Sequence, residues 1–197
     1  MRINAGSPDT RAPHAEGNFK TPSGRCEFKA SAAENGNFVV PIWRSMYEQM
    51  QPGEPVDPLP DYIPPYETPH SNPELARRYP LNMISPKPHA FLNTQYANEP
   101  LQERRQGEQA VLLHPKDGAA RHIESGNYVR VFNDRGSFEG RAELSEDIMP
   151  GMVMASVGYW PSLNRSGTSV NATSPDKHCT LGQAGAFSDN LVDVARV

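Results

Sequence analysis

From residue 80 onward, apolar positions come in short bursts separated by glycine, proline and polar turns. Residues 80–85 (PLNMIS) and 110–114 (AVLLH) each hold an apolar run of strand length. Residues 128–132 (YVRVF) alternate as a half-buried strand does, and residues 137–144 (SFEGRAEL) alternate again. Between them Asn133-Asp134-Arg135-Gly136 reads as a hairpin turn, with Gly136 expected at positive φ. Pro150-Gly151 turns the chain into residues 152–156, a strongly apolar strand. Residues 191–197 form a last strand, with Leu191, Val192, Val194 and Val197 offered to a core. Residues 115–121 predict a short helix with Pro115 in its first turn, and Gly126 follows as a turn residue. Many short strands, one short helix and frequent glycine turns predict a closed barrel or a sandwich rather than a doubly wound sheet. No internal repeat is evident.

The first hundred residues have a different texture. They hold 16 of the 20 prolines. Proline removes amide donors and is excluded from helix interiors and central strands. Residues 51–80 are therefore expected as extended coil, and a structureless run of that length points to a strap across a neighbouring body or to a disordered tail. Trp43, Tyr62, Ile63 and Tyr66 favour the strap, because disordered tails are poor in such residues. The expected division is residues 1–78 as an irregular connector and 79–197 as the barrel.

Hydrophobic residues make up 37% of the chain, enough for one core but lean for the full length, so part of the chain is expected outside it. A net charge of -4 gives no basic stripe for nucleic acid. No apolar run approaches the roughly 20 residues that cross a bilayer. The start, MRINAG, lacks the apolar stretch of a secretion signal. The default expectation is a cytoplasmic protein, or a periplasmic one if a missing leading segment carries a signal. Cys26 and Cys179 lie far apart and belong to no CxxC pair, which favours two free thiols over a disulfide or a shared metal site.

Catalytic patterns are wanting. The six histidines show no HExxH spacing, no serine sits in GxSxG, and there is neither a Walker loop nor GxGxxG. Asp117 and Glu124 can be drawn as an acid/base pair, but turn carboxylates of this kind are usually just solvated. No catalytic residue and no metal ligand is assigned.

Three polar loops are less ordinary. Residues 85–96 (SPKPHAFLNTQY) supply a cation in Lys87, an imidazole in His89, donors in Ser85, Asn93 and Thr94, and an exposed-looking Phe91-Leu92 pair. Lys87 offers a point charge to a phosphate, and the amides and hydroxyls can pair with ring edges or oxygens. Residues 158–176 place Tyr159 and Trp160 before a Ser/Gly/Asn-rich excursion that ends in VNATSPD, a pattern of binding rims and of hydrophobic lids alike. Residues 181–190 (LGQAGAFSDN) put glycines, which allow close backbone approach, beside a carboxylate that can accept two bonds from a guanine edge. Taken one at a time, each reads equally as an ordinary surface loop.

The ordered set resembles the terminal domain of the molybdopterin oxidoreductases, the dimethyl sulfoxide reductase superfamily. The likeness is carried by YPLNMISPKPHAFLNTQYAN, by LHPKDGAARHIESGNYVRVFNDRGSFEGRAELSEDIMPGMVMASVGYW, and by VNATSPDKH followed by LGQAGAFSDNLVDV. The earlier segment FKTPSGRCEF resembles the TPSGR/K-x-E run that precedes this domain in full-length members, so Met1 is expected to be an internal methionine, an artificial boundary or the start of a split gene.

The resemblance implies a double-psi β-barrel with short helices and a Pro-rich, largely irregular amino-terminal extension. It implies a bis-molybdopterin guanine dinucleotide cofactor, with molybdenum or tungsten, held between this barrel and other domains. Carried over, Ser85, Lys87, His89, Phe91, Leu92, Asn93 and Thr94 match the loop that wraps pterin and pyrophosphate. Asn171 matches a pterin-contacting asparagine, with Thr173 beside it. Ser188 and Asp189 match positions that approach the second nucleotide. An iron–sulfur cluster and the metal's protein ligand are expected in domains outside this chain, so the implied partners are those catalytic domains.

Two departures stand out. The family's short helix usually ends in Gly-Ile and then Asp-Gly-Asp, where this chain has RHIESGN, a change expected to touch turn geometry rather than ligand contacts. Asn171-Ala172-Thr173 also lacks the leucine of the N-x-L-T run. Two rival readings remain. One is a separately encoded cofactor-binding chain, like the small dinucleotide-binding component of formylmethanofuran dehydrogenase. The other is a cofactor-free double-psi barrel that only recognises partners.

Overall fold

The computed structural model describes residues 14, 17, 19–30, 57–60, 62, 64–177 and 185–197. The chain divides into two compact units, Met1–Ile63 and Pro64–Val197. In the first, Thr21 Oγ1 donates to the Arg25 carbonyl and Glu27 accepts from the Ser23 amide, which closes the TPSGR turn. Cys26 is exposed and free. Cys179, Trp43 and Ile63 lie outside the described residues, as do residues 181–184 of the third loop.

The described residues of the second unit form six strands: β1 (Leu81–Ile84), β2 (Ala110–Leu113), β3 (Tyr128–Phe132), β4 (Ser137–Leu144), β5 (Met152–Met154) and β6 (Leu191–Arg196). They close into a barrel in the order β1-β5-β2-β4-β3-β6, which leaves no open edge. β1 runs parallel to β5 and β2 parallel to β4, and every other pair is antiparallel. Exchanging β1-β2-β3 with β4-β5-β6 reproduces the same order and the same two parallel pairs. The barrel is thus two interlocked three-strand halves, the double-psi arrangement.

Period-two burial fills its interior. Leu81 and Met83, Val111 and Leu113, Val129 and Val131, Phe138 and Ala142, Val153, and Val192 and Val194 all turn inward and form one core. Val197 does not join it; its amide still donates to the Tyr128 carbonyl on β3 at 3.0 Å, but its side chain is 57% exposed. Gly140 is small for a packing reason. A Cβ there would stand 2.7 Å from the Gln109 carbonyl oxygen, across the β2–β4 seam.

Among the described residues, three α-helices decorate the barrel. α3 (Pro115–Ala119) follows β2 as predicted. α1 (Pro73–Arg78) lies inside the stretch expected to be coil, and α2 (Pro100–Gln106) was not expected. Each begins with proline in its first turn, which suits a helix start rather than blocking it. In α1 the Asn72 side chain accepts from the Leu75 amide, Glu74 sits in the first turn, and Arg77 and Arg78 sit in the last. Neither helix buries a residue, so neither leaves an apolar stripe in the sequence. The compact unit takes in residues 64–80 ahead of the barrel. Tyr79 donates to Asp134 in the β3–β4 turn at 2.8 Å, and Arg78 pairs with the same carboxylate.

Two turns depart from expectation in instructive ways. Gly136 is not among the residues with positive φ; it is needed because a Cβ there would meet the Ala172 carbonyl oxygen at 2.8 Å. His122 stands where the resemblance expects glycine, and it adopts φ 55°. The Ile123 amide bonds to Gly118 and the His122 amide to Ala119, which makes a Schellman ending for α3 with His122 at the left-handed position. A Cβ in that conformation carries a steric cost that glycine lacks.

Two substitutions test this backbone account. His122→Gly is expected to raise stability by about 0.5 to 1 kcal/mol, the steric relief minus glycine's extra chain entropy. It should appear as a higher urea midpoint at unchanged slope. Gly140→Ala is expected to lower stability by about 1 to 3 kcal/mol while the barrel persists, read by the same titration and by far-UV circular dichroism.

Candidate functional site

Strand direction decides where the polar loops go. β1, β3 and β5 run one way, while β2, β4 and β6 run the other. The loop after β1, the loop after β5 and the residues before β6 therefore all meet the barrel at one rim, together with the 133–136 turn. Asp117 and Glu124 belong to the connection at the opposite rim. There Asp117 Oδ2 accepts the Gly151 amide at 2.8 Å, and Glu124 is exposed.

The first loop is welded to the second. The Ala155 amide bonds to Ile84 and the Val157 amide to Pro86, extending the β1–β5 register beyond the strands. Leu92 and Gln95 exchange both backbone bonds around a tight turn. Asn93 and Tyr96 sit there at φ 53° and 67°, conformations that cost a non-glycine residue energy and gather where surrounding structure imposes them. Gly158, at φ 97°, backs onto this turn so closely that a Cβ would stand 2.2 Å from the Asn93 carbonyl oxygen. The Trp160 indole N–H donates to the Thr94 carbonyl at 2.7 Å.

Phe91 is buried, with Tyr159 edge-on at 5.2 Å, so it anchors the loop. Lys87, His89, Leu92, Asn93 and Thr94 face solvent. Ser85 Oγ is shielded from solvent and has no hydrogen-bond partner.

The other two loops meet in a buried polar network. Asn190 is fully buried and is its hub. Its Oδ1 accepts from Asn133 and from Arg135, and its Nδ2 donates to Thr173 Oγ1 at 3.1 Å. Thr173 is also fully buried; its Oγ1 donates to the Val170 carbonyl, and its own carbonyl accepts from Arg135 Nε at 2.7 Å. Asn171, two residues earlier in a single 3-10 turn (Val170–Ala172), is exposed, and Ser188 is exposed. Asp189 is buried and accepts the Tyr66 and Glu67 amides at 2.9 and 2.5 Å.

The structure thus brings Phe91, Asn93 and Thr94 together with residues 158–160, and it brings Thr173 and Asp189 together through Asn190. Lys87, Asn171 and Asp189 share the rim. Two clefts, of about 420 and 340 Å³, open beside Glu108, and neither contains any of those three. Sequence reasoning missed Glu67, Arg135, Asn190 and Gly158. A lone carboxylate in a Pro-rich run and an asparagine before a strand carry no local signal of burial. Among the described residues, no group of three His, Cys, Asp or Glu side chains could hold a metal ion, and no helix is long and apolar enough to cross a membrane.

The model of the Molydopterin dinucleotide binding domain matches residues 81–191, more than half of the chain. The chain belongs to that family. The matched region runs from the first residue of β1 to the first of β6, and so takes in all three loops. The chain is 29% identical over 181 residues to the dimethyl sulfoxide reductase DmsA of Escherichia coli, covering 90% of this chain and 21% of that one. It is 35% identical over 121 residues to a putative dimethyl sulfoxide reductase catalytic subunit of Halobacterium salinarum, covering 61% of this chain and 14% of the relative. The chain spans about a fifth or less of the length of these curated relatives, and the family match together with them places its domain in the dimethyl sulfoxide reductase superfamily. Acetylene hydratase from Pelobacter acetylenicus shares the fold, with a TM-score of 0.64 at 19% identity over 90% of this chain and 24% of its own.

Electrostatics at the rim give opposite directions for two carboxyls. Burial pushes Asp189 above its ordinary 3.8, against the amides of Glu67 and Tyr66, which lower it. The hydrogen bond from Arg78, then that from Tyr79, holds Asp134 below the same value. A carboxyl raised on folding contributes stability below its unfolded value and loses it as pH rises through its folded value. A carboxyl lowered on folding contributes above its unfolded value and loses it as pH falls through its folded one. Carboxyl-carbon NMR should accordingly show Asp189 titrating above 3.8 and Asp134 below it. Gly158→Ala should cost about 1 to 3 kcal/mol and displace the 92–96 turn. Tryptophan emission should then shift to the red as the Trp160–Thr94 bond is lost.

Proposed function

We propose that this domain clasps a molybdopterin guanine dinucleotide, in the bis form, as the carboxyl-terminal portion of a molybdenum or tungsten oxidoreductase whose remaining domains supply the catalytic groups. The observation that carries this reading is the sorting of the rim residues. Lys87, His89, Asn93, Thr94, Asn171 and Ser188 present their side chains to solvent from loops on one rim. Phe91, Thr173 and Asp189 are buried and hold those loops in place. Donors outside and anchors inside is the arrangement a rigid cradle requires, since a ligand gains most from groups already fixed in place.

The residues fit the group. A pyrophosphate needs donors and positive charge, which Lys87 and the Asn93 and Thr94 amides, at the tip of the turn closed by Leu92 and Gln95, supply. A pterin edge alternates donors and acceptors, which the Asn171 carboxamide matches. Leu92, half exposed, offers an apolar face beside those donors. The orphaned Ser85 hydroxyl, whose burial without a partner costs about 1 to 3 kcal/mol, supports a role beyond packing at the head of the loop. When bound, the group supplies metal-centred oxidation–reduction. The residues of this chain bind it, orient it and keep water from its edges.

The test uses the complete enzyme. Lys87→Glu combined with Asn171→Ala should abolish cofactor loading, read as molybdenum and guanine nucleotide per chain. The barrel's thermal midpoint should move by no more than a few degrees, since both side chains are solvent-facing. Normal molybdenum content in that variant would overturn the assignment.

A further inference from the structure

The segment just ahead of the barrel does more than connect. Its residues Tyr66 and Glu67 touch both limbs of the polar loop that runs between the 3-10 turn carrying Asn171 and strand β6. On the limb at residues 185–190, Asp189 accepts the Tyr66 and Glu67 amides, and Glu67 Oε2 accepts the Leu191 amide just beyond at 3.1 Å. On the limb at residues 173–177, Lys177 Nζ stands 4.3 Å over the Tyr66 ring. Glu67 reaches the same limb through Arg135, which it binds with both oxygens at 2.6 and 2.9 Å while Arg135 Nε holds the Thr173 carbonyl at 2.7 Å. The Glu67 carbonyl accepts from Asn82 on β1 at 3.0 Å, which ties the segment to the barrel wall.

Glu67 is 3% exposed, and such a carboxylate is stable only with its acceptor sites filled. Asp189 is 7% exposed and binds one backbone amide of the pre-barrel segment with each of its two oxygens. The two carboxylates, one from each side of the seam, cross-link the pre-barrel segment to the loop.

We infer that Tyr66, Glu67 and Asp189 form a clip that fixes the span between the loop's two limbs, and that they are positioning residues for the cofactor rather than contacts to it. Asn171 and Ser188, the outward-facing donors next to the clipped positions, are then held at a set separation by residues that never reach the ligand. The inference rests on the proposed function for what is positioned, but the clip itself is observable without cofactor.

Asp189→Asn is the leading variant, because it keeps the buried Glu67–Arg135 pair and weakens only the amide cross-link. In the 197-residue chain, the Tyr66 and Glu67 amides should exchange with solvent at least tenfold faster than in the unaltered protein. In the complete enzyme, the same variant should retain less than a fifth of the molybdenum and guanine nucleotide per chain. Glu67→Gln, which breaks the other half, should add faster exchange at Leu191 and lose cofactor likewise. Gly140→Ala is the control, since it weakens the barrel away from the clip and should keep its cofactor.

Unchanged exchange at Tyr66 and Glu67 in Asp189→Asn would overturn the clip. Faster exchange with full cofactor content would overturn its positioning role, as would equal cofactor loss in Gly140→Ala. If Lys87→Glu with Asn171→Ala keeps its molybdenum while the clip variants behave as expected in exchange, the proposed function fails and the positioning role goes with it, yet the clip stands.

Discussion

A carboxylate almost wholly removed from water has to find compensation for every interaction it gives up, and the Glu67–Arg135 pair is where this fold meets that requirement. The fork geometry matters. Two parallel N–H···O bonds use both carboxylate oxygens and leave the guanidinium a third donor for the Thr173 carbonyl and a further contact with Asn190. A lysine could not make that set. From this pair the bonding spreads to the 133–136 turn, to Thr173, to Asn190 and to the first residue of β6. Pieces of chain that are up to 124 residues apart are held together by side chains that each have only one workable arrangement.

The barrel makes such convergence available. Interlocking two three-strand halves brings the exits of β1 and β5 and the entry of β6 to one rim, although they are far apart along the chain. Hydrophobic burial builds the wall, but it is non-directional and leaves the rim unspecified. The rim is specified by polar bonds and close backbone approach. Gly158 lets one loop lie against the Asn93 carbonyl, Gly136 lets the β3–β4 turn lie against Ala172, and the Trp160 indole closes the first seam. Left-handed backbone at Asn93 and Tyr96 falls in the same region, so part of the fold's strain lies where the loops present their donors.

Dividing labour between exposed and buried residues also accounts for how the family likeness maps onto this chain. Motif positions carried over by resemblance include residues that face solvent and residues that lock the loops. Lys87 and Asn171 belong to the first kind; Phe91, Thr173 and Asp189 belong to the second. A cradle needs both kinds, and a motif records them together without separating them.

The sequence alone determined the strands, because alternation with period two depends only on near neighbours. All six lie where the apolar bursts predicted and α3 begins at its predicted proline, while the count of short strands and glycine turns left a barrel and a sandwich both open, and it was the family resemblance that implied the barrel. α1 and α2 were also legible in principle. Asn72-Pro73-Glu74 is a helix start, but the density of prolines around it pulled the reading toward coil, and two helices that bury nothing left no stripe to correct it. Only the tertiary structure could decide that Asp189 faces two amides of its own chain, that Glu67 is buried, and that Asn190 is a hub. Each of these depends on a partner more than 50 residues away, and a side chain's role as donor, anchor or bridge is set by which distant group the closed barrel places opposite it.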